Sequence, residues 1–262
     1  MGTGATDIPS VTINPTGLLL RWDGREVQWA FLSKNQKLVG HDYIFGSRKV
    51  TRISMLPEVV RALKGRYKSL NKVVYAKRFN PSTIVPAIVL ENNNSAAEKW
   101  FKLHHASSVK DGTRVVHLES VEGEPVFVEG VDKDWDDAVK GVFPQAQAVI
   151  QSAALMNVAV GLSRHNHESW VIIVDAGTRG ADLVAANCGK GVWSGVTSGG
   201  DVEDVLYSVV NALHRADVKP DDVLVKLAGE GLVELESTFK KFFKNVQLLG
   251  NSEMEGLKAL AS

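Results

Sequence analysis

Residues 170–196 read WVIIVDAGTRGADLVAANCGKGVWSGV. Val171, Ile172, Ile173 and Val174 form a β-branched run that ends in Asp175, and Ala176-Gly177-Thr178-Arg179-Gly180 follows as a glycine-rich turn. Leu183 to Ala186 is a second apolar run, Gly189-Lys190-Gly191 another turn, and Val192 to Val196 a third run. Bounded apolar runs of this length read as strands, and turns this closely spaced make them a meander. An acid at the end of a buried strand, followed by Gly-Thr, also carries chemical potential. Successive backbone N–H groups in such a turn can form an anion-binding concavity, while the carboxylate holds a metal ion or positions a water. The plainer alternative is a hairpin whose glycines only supply positive φ.

Working outward, the same grammar recurs nearer the N-terminus. Leu18 to Trp22 reads as a strand, Asp23-Gly24 as a tight turn, Val27 to Leu32 as a second strand, Asn35-Gln36 as a turn and Leu38 to Phe45 as a third strand. Met55 to Lys68 follows with helical spacing, then the strand Lys72 to Ala76. Downstream of the opening stretch come an amphipathic helix over Val202–Arg215, a strand over Val223–Leu227 ending in Ala228-Gly229-Glu230-Gly231, a helix over Leu232–Phe243 and a strand over Val246–Leu249. Each half therefore runs strand meander, helix, strand, and LLLRWDGREVQWAFLSKNQKLVG matches VIIVDAGTRGADLVAANCGKGVW in layout. Such a repeat predicts two similar lobes around a cleft.

Between the halves the pattern is mixed. Ser82 to Leu90 reads as a strand interrupted by Pro86, 96–104 as a short helix, Thr113–Glu119 and Pro125–Val128 as strands, and Asp134–Val142 as a helix. The alanine-rich span Gln145 to Leu162 predicts one longer helix. The expected division is a first lobe over 1–145, carrying an insertion at about 78–130, and a second lobe over 146–262.

Composition bounds the function. In 262 residues, 44% are hydrophobic, ample for a core, and 30 lysines and arginines balance 30 aspartates and glutamates. That balance gives no reason to expect a nucleic-acid partner, and no apolar run reaches the roughly 18 residues a membrane helix needs. The first ten residues lack the basic and apolar regions of a signal peptide, and the one cysteine, Cys188, excludes an intrachain disulfide. The expectation is a cytoplasmic protein.

The DAGT turn between two strands resembles the second phosphate loop of the actin, sugar-kinase and Hsp70 superfamily, and the duplication strengthens that resemblance. In order, length and the stretch NPSTIVPAIVLENNN the chain is similar to a family of uncharacterised bacterial proteins with an actin-like fold. By architecture it also resembles the type IV pilus assembly ATPase-like proteins. The resemblance implies an α/β, duplicated actin-like (ribonuclease H-like) fold of two lobes, each a mixed sheet opening with a three-strand meander. It further implies a nucleotide site in which Asp175, Gly177 and Thr178 form the second phosphate loop and Gly229 and Gly231 form the adenosine loop. Asp175 would then be the catalytic residue of an active member, and ATP with magnesium the cofactor.

The first phosphate loop departs from the pattern. Trp22 stands two residues before Gly24, where the family places an aspartate, and four residues separate Asp23 from Val27 against eight from Asp175 to Leu183. So tight a turn, with Glu26 beside it, predicts a lost phosphate loop. The sequence reading is a non-catalytic actin-like protein with a degenerate site and no cofactor, acting through a protein partner or as a homodimer. The alternative is a working ATPase or small-molecule kinase. His165, His167 and Glu168 lack spaced metal-ligand partners, so no metal is expected, and Cys188 is expected to be buried packing rather than a nucleophile. Trp29, alternating with Val27 and Phe31, is expected in the core.

Overall fold

A computed structural model describes residues 15–34, 41–67, 69–90, 96–105, 111–117, 126–165 and 170–261. In chain order the elements are β1 (Gly17–Trp22), β2 (Glu26–Lys34), β3 (His41–Lys49), α1 (Leu56–Arg66), β4 (Lys72–Lys77), β5 (Ser82–Val85), α2 (Ala96–His105), β6 (Thr113–His117), β7 (Val126–Gly130) and α3 (Lys133–Lys140). Then follow β8 (Gln147–Ala148), α4 (Gln151–His165), β9 (Trp170–Gly177), β10 (Gly180–Asn187), β11 (Lys190–Val196), α5 (Val202–Arg215), β12 (Val223–Gly229), α6 (Leu232–Phe239), β13 (Asn245–Leu248) and α7 (Glu255–Lys258).

Two five-stranded sheets carry the duplication, with orders β3-β2-β1-β4-β8 and β11-β10-β9-β12-β13. In each, the opening three strands are antiparallel neighbours and the last two run parallel to the first. A third, smaller sheet, β5-β7-β6, is inserted in the first half. Central strands buried on both faces need continuous apolar runs rather than alternation, as β1 and β9 have. One face of β1 (Leu18, Leu20, Trp22) packs with α1 and α3, and the matching face of β9 (Ile172, Val174, Ala176) packs with α5 and α6. The opposite faces share one interlobe core, in which Leu19 and Ile173 meet Ala153, Met156 and Val160 of α4 and Leu257 of α7. Trp29 lies in the first lobe's own core with Val27 and Phe31, as expected.

The structure corrects several element assignments. The span predicted as one helix from Gln145 divides, because Gln147 and Ala148 pair with Val74 and Tyr75 at the free edge of β4 and α4 starts only at Gln151. A two-residue strand has too few positions to show a period. The strand expected over Ser82–Leu90 stops at Val85, since Pro86 has no N–H to give a ladder and Ala87–Val89 turns into a 3-10 helix. The helix from Leu232 ends at Phe239, and α7 lies beyond the last element that sequence periodicity marked. The Asn35-Gln36 turn falls outside the described residues. Among the described residues no helix is long and apolar enough to cross a membrane.

Candidate functional site

The four sheet-end turns that meet between the lobes form the candidate site. Asp175 and Gly177 end β9, and Thr178 and Arg179 make the turn into β10. β12 runs parallel beside β9 with Ala228 opposite Asp175 and Gly229 opposite Ala176, so the two predicted glycine motifs sit side by side. The β1–β2 hairpin faces them from the first lobe, and residues 78–80, which follow β4, complete the ring.

Register identifies which residues correspond between lobes. Arg21 pairs with Gln28 and Ala76, just as Asp175 pairs with Asp182 and Ala228. Seven residues separate each hairpin pair, so the two hairpins have equal reach, and the expected tightness of the first is corrected. Counting back from the glycine placed Trp22 opposite Asp175. The pleat instead turns Trp22 into the first lobe's core and Arg21 into the cleft, because successive side chains alternate faces. By the same register Arg78 and Glu230 are equivalents, each one residue past the paired end of its strand.

These equivalents carry opposite charge and pair with each other. Arg21 Nη1 donates to Asp175 Oδ2 at 2.6 Å, both side chains being inaccessible to solvent, and Arg21 Nε donates to Gln28 Oε1 at 2.7 Å. Arg78 Nη2 donates to Asp175 Oδ1 at 3.0 Å and to the carbonyls of Ala176 and Asp175 at 2.9 and 3.3 Å. Arg78 Nη1 lies 3.8 Å from Glu230 Oε1. Asp182, also buried, accepts the Phe79 N–H at 3.1 Å. The first lobe thus supplies cations and the second carboxylates. Burial dominates the titration of the lattice: it lowers Arg21 to about 10 and lifts Asp182 to about 7, the neighbouring arginines opposing the latter shift.

The glycines expected to receive phosphate and purine face the chain's own groups. A Cβ on Gly177 would lie 2.8 Å from Phe79 Cζ and 3.1 Å from Arg78 Nη1. One on Gly24 would strike the Arg179 guanidinium, whose Nη1 donates to the Asp23 carbonyl at 2.7 Å across the lobes. One on Gly229, at φ +96°, would strike the Ala176 carbonyl, so that glycine serves strand packing. Gly231, at φ +67° before α6, is open. The N–H groups of Arg25 and Glu26 donate to Asp23 Oδ1 at 2.7 and 2.6 Å, so the first hairpin's donors are capped by its own aspartate. Gly256 of α7 approaches the Asp175 carboxylate so closely that any side chain there would collide with it.

The Asp23–Arg179 bridge stands between two cavities. A cavity of 740 Å³ is lined by Asp23, Glu26, Thr178 and Glu230 together with Arg25 and Lys49. One of 430 Å³ is lined by Lys77, Arg78, Arg179, His105 and several hydroxyl groups. Among the described residues no group of three His, Cys, Asp or Glu side chains could hold a metal; His167 and Glu168 lie outside them. Cys188, expected in packing, is instead exposed, because it and Gly189 form the tight β10–β11 turn at φ +48° and +77°.

No family model matches the sequence, and no curated protein sequence matches it. The structure is similar to that of a Bacteroides thetaiotaomicron protein with an actin-like ATPase fold and unknown function, at TM-score 0.73 and 16% identity over 97% of this chain and 99% of the other. The chain has an actin-like ATPase fold. A type IV pilus biogenesis PilM–PilN complex contains a chain similar at TM-score 0.61 and 16% identity, covering 93% of this chain and 90% of that one. The ethanolamine utilization protein EutJ from Carboxydothermus hydrogenoformans is similar at 0.53 and 11% identity, covering 94% and 90%. Within this actin-like fold, sequence reasoning located Asp175, Gly177, Thr178, Gly229 and Gly231 but missed Arg21, Arg78 and Phe79. A signal for Arg21 was present: a cation inside the otherwise apolar strand GLLLRW requires a buried acid.

Proposed function

We propose that this actin-like protein works through protein–protein contact and does not turn over ATP, its nucleotide cleft being closed by an interlobe charge lattice. The observation that carries this reading is the Arg21–Asp175 pair. Asp175 is the carboxylate an active member would use, and here it is buried and held by two arginines. A carboxylate so committed cannot position a metal or water without first taking the buried partner from Arg21 and one of two from Arg78, and breaking a buried pair costs about 3–5 kcal/mol. Phe79 and Arg78 against Gly177, and Arg179 against Gly24, act in the same direction. The similarity to a chain in the PilM–PilN complex supports an interaction role, since this fold occurs there in a protein assembly.

A second reading is nucleotide binding in the 740 Å³ cavity, which is large enough for a nucleotide. Its wall carries Asp23, Glu26 and Glu230 against Arg25 and Lys49, an acid excess that opposes a triphosphate. The test is capture of binding partners by the tagged full-length chain, with ATP and magnesium present or after enzymatic removal of nucleotide. The interaction reading expects the same partners in equal yield. Partners retained only with ATP would overturn it in favour of a nucleotide-driven switch.

A further inference from the structure

The 430 Å³ cavity falls within the about 300–1,000 Å³ typical of small-molecule sites, and its lining is one-sided in charge. Lys77, Arg78 and Arg179 face it against one acid, Asp23, whose carboxylate already accepts two turn N–H groups; His105 also lines it, its pKa lowered by burial. Lys77 is paired with Asp132 and Arg78 with Asp175. Arg179 makes no ion pair among the described residues; only its Nη1 is engaged, on the Asp23 carbonyl. Ser194, Thr197 and Ser198 also line it, the Thr197 hydroxyl accepting the Ala181 N–H. Ser194 Oγ and Arg78 Nε are buried and have no hydrogen-bond partner among the described residues, while Arg78 Nη1 has Glu230 Oε1 at 3.8 Å. Buried donors without acceptors are uncommon, and two of them on residues that line one cavity point to a missing acceptor.

Part of the lining lies outside the duplicated hairpins, and a constrained turn adjoins it. Asn80, Pro81, Ser82 and His105 come from the junction with the inserted sheet and its helix α2, which have no counterpart in the second lobe. Phe79 holds φ +53°, a region bulky residues rarely occupy, fixed by its N–H bond to Asp182 and by the Arg78 guanidinium 4.4 Å above its ring. A rigid backbone at a cavity wall keeps the neighbouring donors in place for a ligand.

We infer that this cavity binds a compact anionic small molecule, one bearing a carboxylate or phosphate group, between the Arg179 guanidinium and the Ser194 hydroxyl. The guanidinium offers the two-pronged donor geometry that either anion accepts, and the hydroxyl supplies a third donor from the other side. The site shares Asp23, Arg78 and Arg179 with the proposed closure of the cleft and so rests on that reading, but anion binding without nucleotide can fail while the nucleotide cleft stays closed.

The experiment is isothermal titration of the full-length protein at low salt with two probes, succinate and inorganic phosphate. One-to-one saturable binding of at least one probe is expected, the tighter probe naming the anion class. Arg179→Gln weakens it by about tenfold or more and Ser194→Ala by a smaller factor, while Lys240→Gln, on the exposed end of α6, leaves it unchanged. Arg179 is exposed on a turn, so its replacement leaves the fold intact, which circular dichroism verifies. Absence of saturable heat with both probes up to about 20 mM overturns the inference. Binding that Arg179→Gln and Ser194→Ala leave untouched overturns it equally.

Discussion

Replacing Asp175 by asparagine removes one charge and keeps the shape, and its cost measures how completely the cleft is committed. Asp175 is inaccessible to solvent and accepts from Arg21 at 2.6 Å and Arg78 at 3.0 Å, both also buried. Asparagine leaves Arg21 without its carboxylate partner and Arg78 with only the part-exposed Glu230 at 3.8 Å, and removing one partner from a buried pair costs about 3–5 kcal/mol. Against a total stability of about 5–15 kcal/mol that is a large fraction, and at roughly 2–4 °C per kcal/mol it lowers the midpoint by about 6–20 °C. Glu230→Gln is the internal control. Glu230 is part-exposed and 3.8 Å from Arg78, so its loss costs no more than about 1 kcal/mol. Urea titrations and thermal melts of both variants, followed by circular dichroism at pH 7, read these values directly. If Asp175→Asn costs under about 1 kcal/mol, the carboxylate is solvated as in an open ligand site and the lattice argument is refuted.

Three further outcomes follow from the same geometry. Gly177→Ala is disfavoured by Phe79 and Arg78 rather than by backbone strain; it costs about 1–3 kcal/mol, and a cycle with Phe79→Ala recovers much of that loss, whereas additive costs would show that the ring does not cover this glycine. Burial raises Asp182 to about 7 and Glu129 to about 8. The folded state then holds protons that the unfolded chain releases near pH 4, so these groups make stability fall as pH rises from about 4 to about 8. Asp182→Asn removes its share of that fall, which urea midpoints at pH 5 and pH 8 detect; an unchanged slope would place the Asp182 pKa in the ordinary range. Gly256→Ala drives a methyl group into the Asp175 carboxylate at the contact of α7 with the lattice, so it destabilises by about 1–3 kcal/mol, read as a lower urea midpoint; a neutral result would detach α7 from the cleft.

Local chemistry explains what was legible in the sequence. Runs such as VIIV and LLL, closed by Asp-Gly and Gly-Thr turns, announce strands and hairpins because both signals lie within ten residues. The match between halves then implies paired lobes, and with them the adjacency of the DAGT and AGEG turns. The lattice was not legible because its partners are 154 and 97 positions apart, and no local pattern reports which charge meets which. Counting from the glycine also misled. The hairpin ends differ in where glycine falls, and only the ladder shows that Arg21, not Trp22, is the counterpart of Asp175. The two residues of β8 went unseen for want of length, and Phe79 because nothing local announces a positive φ at a phenylalanine.

The most direct measurement of the closed cleft is titration of the purified chain with ATP and ADP, with and without magnesium. A lattice that holds Asp175, covers Gly177 and Gly24 and caps the first hairpin's donors predicts no saturable heat up to about millimolar nucleotide, in either condition. Micromolar, magnesium-dependent binding that Asp175→Asn abolishes would contradict it, and would mean that the lobes open and the arginines release the carboxylate to the metal.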